Sequence, residues 1–195
     1  RSEWYSDHGH DHNPKVSRAL EGRTILGFNY RMNELQGAVG LAQLRKLDYI
    51  VAEQKKNKQR IKELLAQVPG VGFRTLPDPD GDSATFLAFH LPEEKRALSF
   101  QKLLSAHGLD TTCYKFNKWH YVPNWEHFLS FSTANSKKYP FADKANKGKV
   151  KYSRKSIPFA EDILGRTLVM GISVKMSPEK FDAIARAIAA AAKKM

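Results

Sequence analysis

Apolar residues recurring at helical spacing, halted by Pro69 and Gly70, constrain this chain more than any other feature. Leu35, Val39 and Ala42 fall on one face, with Met32 and Leu44 extending it, so an amphipathic helix is expected from Asn33 onward. A second helix is expected to begin near Asp48, which can cap it. It runs through Ile50, Val51, Ile61, Leu64 and Leu65 to the Pro-Gly stop. Every residue from 53 to 60 is polar, so the middle of this helix is expected in solvent or against a partner.

Beyond Gly70 the period changes. Residues 71–74 and 85–91 read as strands, separated by the Pro-Asp-Pro-Asp-Gly-Asp turn cluster at 77–82. Residues 93–107 read as a helix closed by Gly108, and residues 111–114 as a short third strand. Residues 116–131 are rich in aromatics, among them Trp119, His120, Tyr121 and Trp125. Lys, Asn, Gly and Ser dominate residues 137–155, which read as a solvated loop. An apolar run within 166–174 suits a buried strand, and Ser177 with Pro178 opens a last helix that puts Phe181, Ile184, Ala185 and Ile188 on the core. Two helices followed by mixed strands and helices predict a small sheet covered by helices.

At 195 residues and 42% apolar, the chain can bury a core, and one compact domain with an irregular arm is expected. Thirty-two Lys and Arg against twenty acids leave a formal charge of +12, which favours anionic partners: nucleic acid, acidic lipid, phosphate or sugar acids. The single cysteine, Cys113, excludes an internal disulfide and reads as a small core residue rather than a nucleophile. No apolar run approaches the roughly 20 residues that span a bilayer, and the first residues match neither a signal nor a transit sequence. A soluble, cytoplasmic protein is expected.

The densest chemical signal is residues 27–48, GFNYRMNELQGAVGLAQLRKLD. An Asn-Tyr-Arg turn feeding a helix can offer a side-chain amide, backbone N–H groups and a guanidinium to an anion; it is equally an ordinary loop entering a helix. These residues closely resemble the signature of the DegT/DnrJ/EryC1/StrS family of pyridoxal-phosphate-dependent sugar aminotransferases. There an Asn-Tyr-Arg-Met-type turn precedes a helix ending in Gln-Leu, two basic residues and Leu-Asp. The resemblance extends over most of residues 7–195 and implies the C-terminal small α/β domain of an aspartate-aminotransferase-like (fold-type-I) enzyme, with a short, mainly antiparallel sheet packed on helices. It implies residues 1–30 as linker and turn after a large cofactor-binding domain, 31–68 as a helical connection, and 69–195 as the small domain.

Further roles follow from the same resemblance. Asn29 is expected to reach across a homodimer interface to the cofactor phosphate of the other subunit, with Tyr30 and Arg31 shaping that wall. Tyr114, Trp119 and His120 stand where the family faces its sugar, although His120 is equally well read as a histidine wedged among aromatics. The Trp-His-Tyr and Trp-Glu-His run from Trp119 to His127 looks like the branch that aminates octulosonate-type sugar acids. Glutamate or a related donor would supply the amino group, and the acceptor would be an anionic or nucleotide-linked keto-sugar. The lysine, acid and aromatic that handle the cofactor belong to the family's large domain, ahead of Arg1. No catalytic residue is therefore assigned, and this chain alone is expected to be inactive.

Other constellations weigh less. Asp7, His8, His10, Asp11 and His12 crowd together, but His-x-His-x-His is a weak metal pattern, and they read as a polar interdomain link without metal. Tyr139, Phe141 and Tyr152, interleaved with lysines, could stack bases, and Lys55, Lys56, Lys58 and Arg60 form a basic cluster. Both read as solvated faces, so neither nucleic acid nor membrane is an expected partner. The rival functions are a non-catalytic basic module that binds nucleic acid or a partner protein, and a relative that kept the fold but lost the lysine.

Overall fold

The computed structural model describes residues 1–149 and 151–195; Val150, inside the expected 137–155 loop, lies outside them. The chain forms two compact units, residues 1–48 and 49–195. In the first, the short helix α1 (Ser2–Ser6) and a 3-10 turn (Arg18–Leu20) precede α2 (Glu34–Leu44). Asn33 caps α2 reciprocally: its Oδ1 accepts from the Gln36 N–H at 2.8 Å, and Gln36 Oε1 accepts from the Asn33 N–H at 3.0 Å. The expected apolar face exists, but it is open. Met32, Leu35, Val39 and Leu44 are all more than half exposed.

The second unit begins within α3 (Leu47–Ala66) and continues through β1 (Gly72–Phe73), β2 (Phe86–His90), α4 (Glu94–Ala106) and β3 (Thr112–Cys113). Three short turns of helix follow: two 3-10 segments (Tyr114–Phe116 and Val122–Asn124) and α5 (Glu126–Leu129). Helix α6 (Pro158–Gly165), β4 (Thr167–Gly171) and α7 (Pro178–Ala192) complete it. The four strands lie in the order β1-β2-β4-β3, every neighbour antiparallel, with Phe86 opposite Gly171 and His90 opposite Thr167. This is the expected α/β architecture.

Side chains alternate across the strands. Leu87 and Phe89 of β2, with Leu168 and Met170 of β4, point into a core shared with Ile61, Leu65, Phe100, Leu104, Ile184 and Ile188. Phe89 meets Phe100 edge-on at 6.4 Å. Phe86, Ala88, His90 and Val169 take the opposite face, where they line an open apolar groove. The expected helix ends hold. Gly108 adopts φ +78°, which a residue with a side chain rarely accepts, and the Ser177 hydroxyl accepts from the Lys180 N–H. Cys113 is buried, its thiol 3.5 Å from the Leu164 carbonyl oxygen and pushed up in pKa by burial, which supports the core reading.

The polar middle of α3 departs from expectation. Gln54 and Asn57 are buried and fall in line with Ile61 and Leu65, so one buried stripe is polar in its first half and apolar in its second. Gln54 donates to the Ile172 carbonyl at 3.0 Å, and Asn57 donates to those of Ser173 and Val174 at 3.0 and 3.2 Å. These carbonyls follow β4, beyond the paired ladder, on a buried residue (Ile172) and two half-buried ones (Ser173 and Val174), where a side-chain donor replaces the missing strand partner. The basic cluster is partly structural too: Lys58 pairs with Asp82, and the Arg60 guanidinium lies 3.6 Å from the Phe181 ring centre. Asp48 sits in the first turn of α3, one residue past its start.

Asn57, only 2% exposed, is the sharpest test of this stripe. Replacing it with Ala strands two carbonyls and should cost about 1–3 kcal/mol in urea unfolding, whereas Lys56→Ala on the exposed face should stay within about 0.5 kcal/mol.

Candidate functional site

In the first unit, residues 28–30 run against residues 5–8. The Phe28 N–H donates to the Tyr5 carbonyl at 2.8 Å, the Tyr30 N–H to Ser6 at 2.9 Å, and the His8 N–H to Phe28 at 3.0 Å. Glycine permits this approach: a Cβ on Gly27 would lie 2.3 Å from the Gly9 nitrogen, and one on Gly9 would lie 2.0 Å from the Ile25 carbonyl oxygen. Asp7 anchors the turn. Its carboxylate is bonded by Arg18, lies 3.2 Å from Arg31 Nε and 3.4 Å from His12 Nε2, and the residue is 5% exposed. The Arg18 hydrogen bond holds the Asp7 carboxyl below the usual carboxylate range against the opposing effect of burial. His10 lies 3.1 Å from Glu21. Within the Asp/His run, His10 thus lies beside Glu21 and His12 beside Asp7, while the firm bond is that of Arg18 to Asp7.

Asn29, Tyr30 and Arg31 are brought together at the tip. Asn29 Oδ1 accepts from Arg31 Nε at 3.1 Å, which commits the amide oxygen inward and leaves the amide NH2 available on an exposed residue. Tyr30 stacks on Phe28 at 5.6 Å, presenting a mostly exposed ring. An NH2 with its oxygen already used, beside a guanidinium, is a donor set that suits phosphate oxygens.

In the second unit, Tyr114, Trp119 and His120 also converge. The His120 ring stacks on Trp119 at 4.8 Å and meets Tyr114 edge-on at 6.0 Å. Asn117 Oδ1 fixes the step by accepting both the Trp119 and His120 N–H groups at 2.7 Å. Trp119 is 78% exposed, an aromatic platform on the surface.

Beside this platform lies a trough of about 490 Å³ whose wall includes Lys115, Lys118, Tyr121, Asn124, Arg154 and Glu161. A second cleft adjoins it through Lys118, Asn124 and Glu126 and continues to Trp119 and Trp125. Lys115 Nζ lies 2.6 Å from Glu94 and 3.7 Å from Glu161, and the Glu94 carboxylate raises its pKa. Arg154 reaches back 31 residues to donate to the Pro123 carbonyl at 3.0 Å. Reading 137–155 as bare loop missed this role, because nothing in the local pattern marks Arg154 off from its basic neighbours. Phe141 and Tyr152 from the same stretch pack with Phe128 and Phe131 at 5.0–6.2 Å, turned toward one another rather than free to stack bases.

The DegT/DnrJ/EryC1/StrS aminotransferase family model matches residues 1–189. The chain belongs to that family. Solved structures agree in fold. The aminotransferase TlmJ from Streptoalloteichus hindustanus matches with a TM-score of 0.66 at 18% identity, over 100% of this chain and 44% of its own. Helicobacter pylori PseC, an aminotransferase of pseudoaminic acid biosynthesis, gives 0.65 at 16%, covering 99% of this chain and 45% of its own. DesV from S. venezuelae gives 0.65 at 18%, covering 98% and 43%. This chain thus spans less than half the length of these structures. Members of the family use pyridoxal phosphate. Among the described residues, no helix is long and apolar enough to cross a membrane.

Asp7 gives the turn a pH signature. Because Arg18 lowers its pKa, the charged pair adds stability that is fully present above the unfolded Asp value and lost as pH falls through the folded one, a window below about pH 4. Asp7→Asn should therefore be less stable than the parent chain at pH 7 and pH 5, with the difference shrinking toward pH 2 in thermal unfolding monitored by Tyr5 and Tyr30 signals.

Proposed function

We propose that this chain is the C-terminal part of a homodimeric, cytoplasmic, pyridoxal-phosphate-dependent aminotransferase that moves an amino group from glutamate, or a similar donor, to an anionic or nucleotide-linked keto-sugar. The observation that carries the proposal is the tip of the first unit, where Asn29 displays its amide NH2 while Arg31 holds its oxygen. In this reading residues 1–30 follow a large cofactor-binding domain, 31–68 connect the two, and 69–195 form the small domain.

When bound, pyridoxal phosphate supplies the electron sink that lets an amino group leave one carbon and join another. The residues here bind and orient. Asn29 donates to a phosphate oxygen of the cofactor held by the other subunit. Arg31, steadied by Asp7, contributes positive charge to the same wall, and Tyr30 bounds it with an aromatic edge. Trp119 offers its exposed face to the apolar side of a sugar ring, and His120, backed by Trp119 and Tyr114, meets a sugar hydroxyl. The net charge of +12 draws an anionic sugar toward these surfaces. The Trp119 to His127 run favours an octulosonate-type sugar acid. The lysine that bonds the cofactor is supplied by the preceding domain, so the chain alone does not turn over.

The full-length protein incubated with pyridoxal phosphate should develop a borohydride-reducible absorbance band, and this chain alone should not. Asn29→Ala in the full-length homodimer should weaken cofactor affinity about tenfold or more, the loss of one hydrogen bond to a charged group. Trp119→Ala should raise KM for the sugar while leaving the cofactor band intact. A folded full-length protein that forms no band would sink the catalytic reading and leave a non-catalytic relative in its place.

A further inference from the structure

The Trp119–His120 platform sits on a loop, between the 3-10 segments Tyr114–Phe116 and Val122–Asn124, rather than on a strand or a long helix. Lys118, Trp119 and His120 are all exposed. With Trp119 at 78% exposure, packing does little to offset the entropy of holding its ring in one direction, so hydrogen bonds to the backbone beneath it have to set that direction. The loop is anchored where it returns to the body of the unit, at the buried residues Tyr121 and Pro123.

Asn124 closes the neck of this loop. Its Nδ2 donates to the Lys115 carbonyl at 2.9 Å and to the Asn117 carbonyl at 3.3 Å, so one amide ties the return of the loop to its start. Asn117 passes that hold on, because its side chain accepts the Trp119 and His120 N–H groups in an Asx turn. Trp125, next after Asn124, donates from its indole Nε1 to the Trp119 carbonyl at 3.1 Å. The Asn124 amide works only one way round: with its oxygen toward Lys115 and Asn117 it would set an acceptor against two acceptors. Arg154 selects the working orientation. Its Nη1 donates to the Pro123 carbonyl at 3.0 Å and lies 3.4 Å from Asn124 Oδ1, and a guanidinium, having donors and no acceptor, favours the amide oxygen on its side. The platform is therefore held through a chain of contacts that ends 30 residues beyond Asn124, at the close of the lysine-rich stretch.

We propose that Arg154 and Asn124 form a clasp that positions the Trp119–His120 platform, which makes Arg154 a positioning residue for sugar binding that acts through Asn124 rather than on the sugar. The link to sugar binding rests on the reading of the platform as the sugar-facing surface; the clasp itself rests on the hydrogen bonds alone. Arg154 and Asn124 also line the trough beside the platform, so direct contact with a ligand is the rival role. The two roles differ in coupling. In a clasp, removing Arg154 matters only while Asn124 is present, whereas two independent ligand contacts give losses that multiply.

Hydrogen exchange and steady-state kinetics on the full-length protein test this together. Arg154→Ala should speed exchange of the Trp119 and His120 amides about fivefold, read by mass spectrometry, while peptides from β2 and β4 exchange as in the parent and show that the fold is intact. The same variant should raise KM for the sugar about fivefold and change kcat by less than about twofold. Asn124→Ala should do at least as much to both readouts, and adding Arg154→Ala to it should change KM by less than about twofold more. Unchanged exchange at Trp119 and His120 in Arg154→Ala overturns the proposal, as does an unchanged KM. A KM effect that multiplies with that of Asn124→Ala overturns it too, and makes Arg154 a direct ligand contact. If the full-length protein forms no reducible band, the aminotransferase reading falls, while the exchange rates still decide whether the clasp holds the platform. If the band forms and Trp119→Ala raises KM, yet Arg154→Ala alters neither exchange nor KM, only the clasp falls.

Discussion

The antiparallel ladder between β2 and β4 decides where the rest of the second unit can go. Five residue pairs lock Phe86 to Gly171 and His90 to Thr167, and that register sends Leu87, Phe89, Leu168 and Met170 to one face together. A slip of one residue would turn one strand's two core residues outward while the other strand's stayed in. With the register set, α4 and α7 have an apolar surface to cover, and the backbone leaving β4 is delivered to Gln54 and Asn57 of α3. The ladder also fixes β3 through Val169 and Leu168, and β3 leads directly into Tyr114 and the aromatic platform. The geometry of the candidate sugar surface therefore descends from pairing between strands 80 residues apart in sequence.

Much of this was legible because it is local. Strand alternation at Phe86–His90, the Gly108 stop and the Ser177-Pro178 start each follow from a few adjacent residues, and each appears where the sequence places it. The polar middle of α3 was misread for a reason that is equally physical. Amphipathicity scores assume that burial is apolar, yet Gln54 and Asn57 are buried to serve carbonyls more than a hundred residues away. No window along the chain contains that demand. Arg154 was hidden in the same way: its meaning comes from Pro123 and Asn124, which only the fold brings to it.

The two candidate surfaces were legible to different depths. Asn29, Tyr30 and Arg31 are consecutive, so their convergence needs only a turn, and the structure adds what holds it: the buried Asp7 carboxylate and close backbone approach at two glycines. Tyr114, Trp119 and His120 span seven residues and depend on Asn117 collecting two backbone N–H groups to bring the rings into contact. The open face of α2 is a third case. Its periodicity is plain in the sequence, but periodicity states only that one side is apolar and is silent on what covers it.

Gross charge is a poor guide to where this chain can hold an anion. Several cations that contribute to the +12 are internally engaged: Lys58 by Asp82, Arg18 by Asp7, Lys115 by Glu94 and Glu161. Most others stand singly in solvent, where the field of one lysine is screened over about 8–10 Å at physiological salt. What distinguishes the trough is position rather than amount. Arg154 is directed by the Pro123 carbonyl and the Asn124 amide oxygen, so part of the conformational entropy of placing its long side chain is lost on folding. Preorganised donors of this kind discriminate between ligands, whereas diffuse surface charge raises only the rate of encounter.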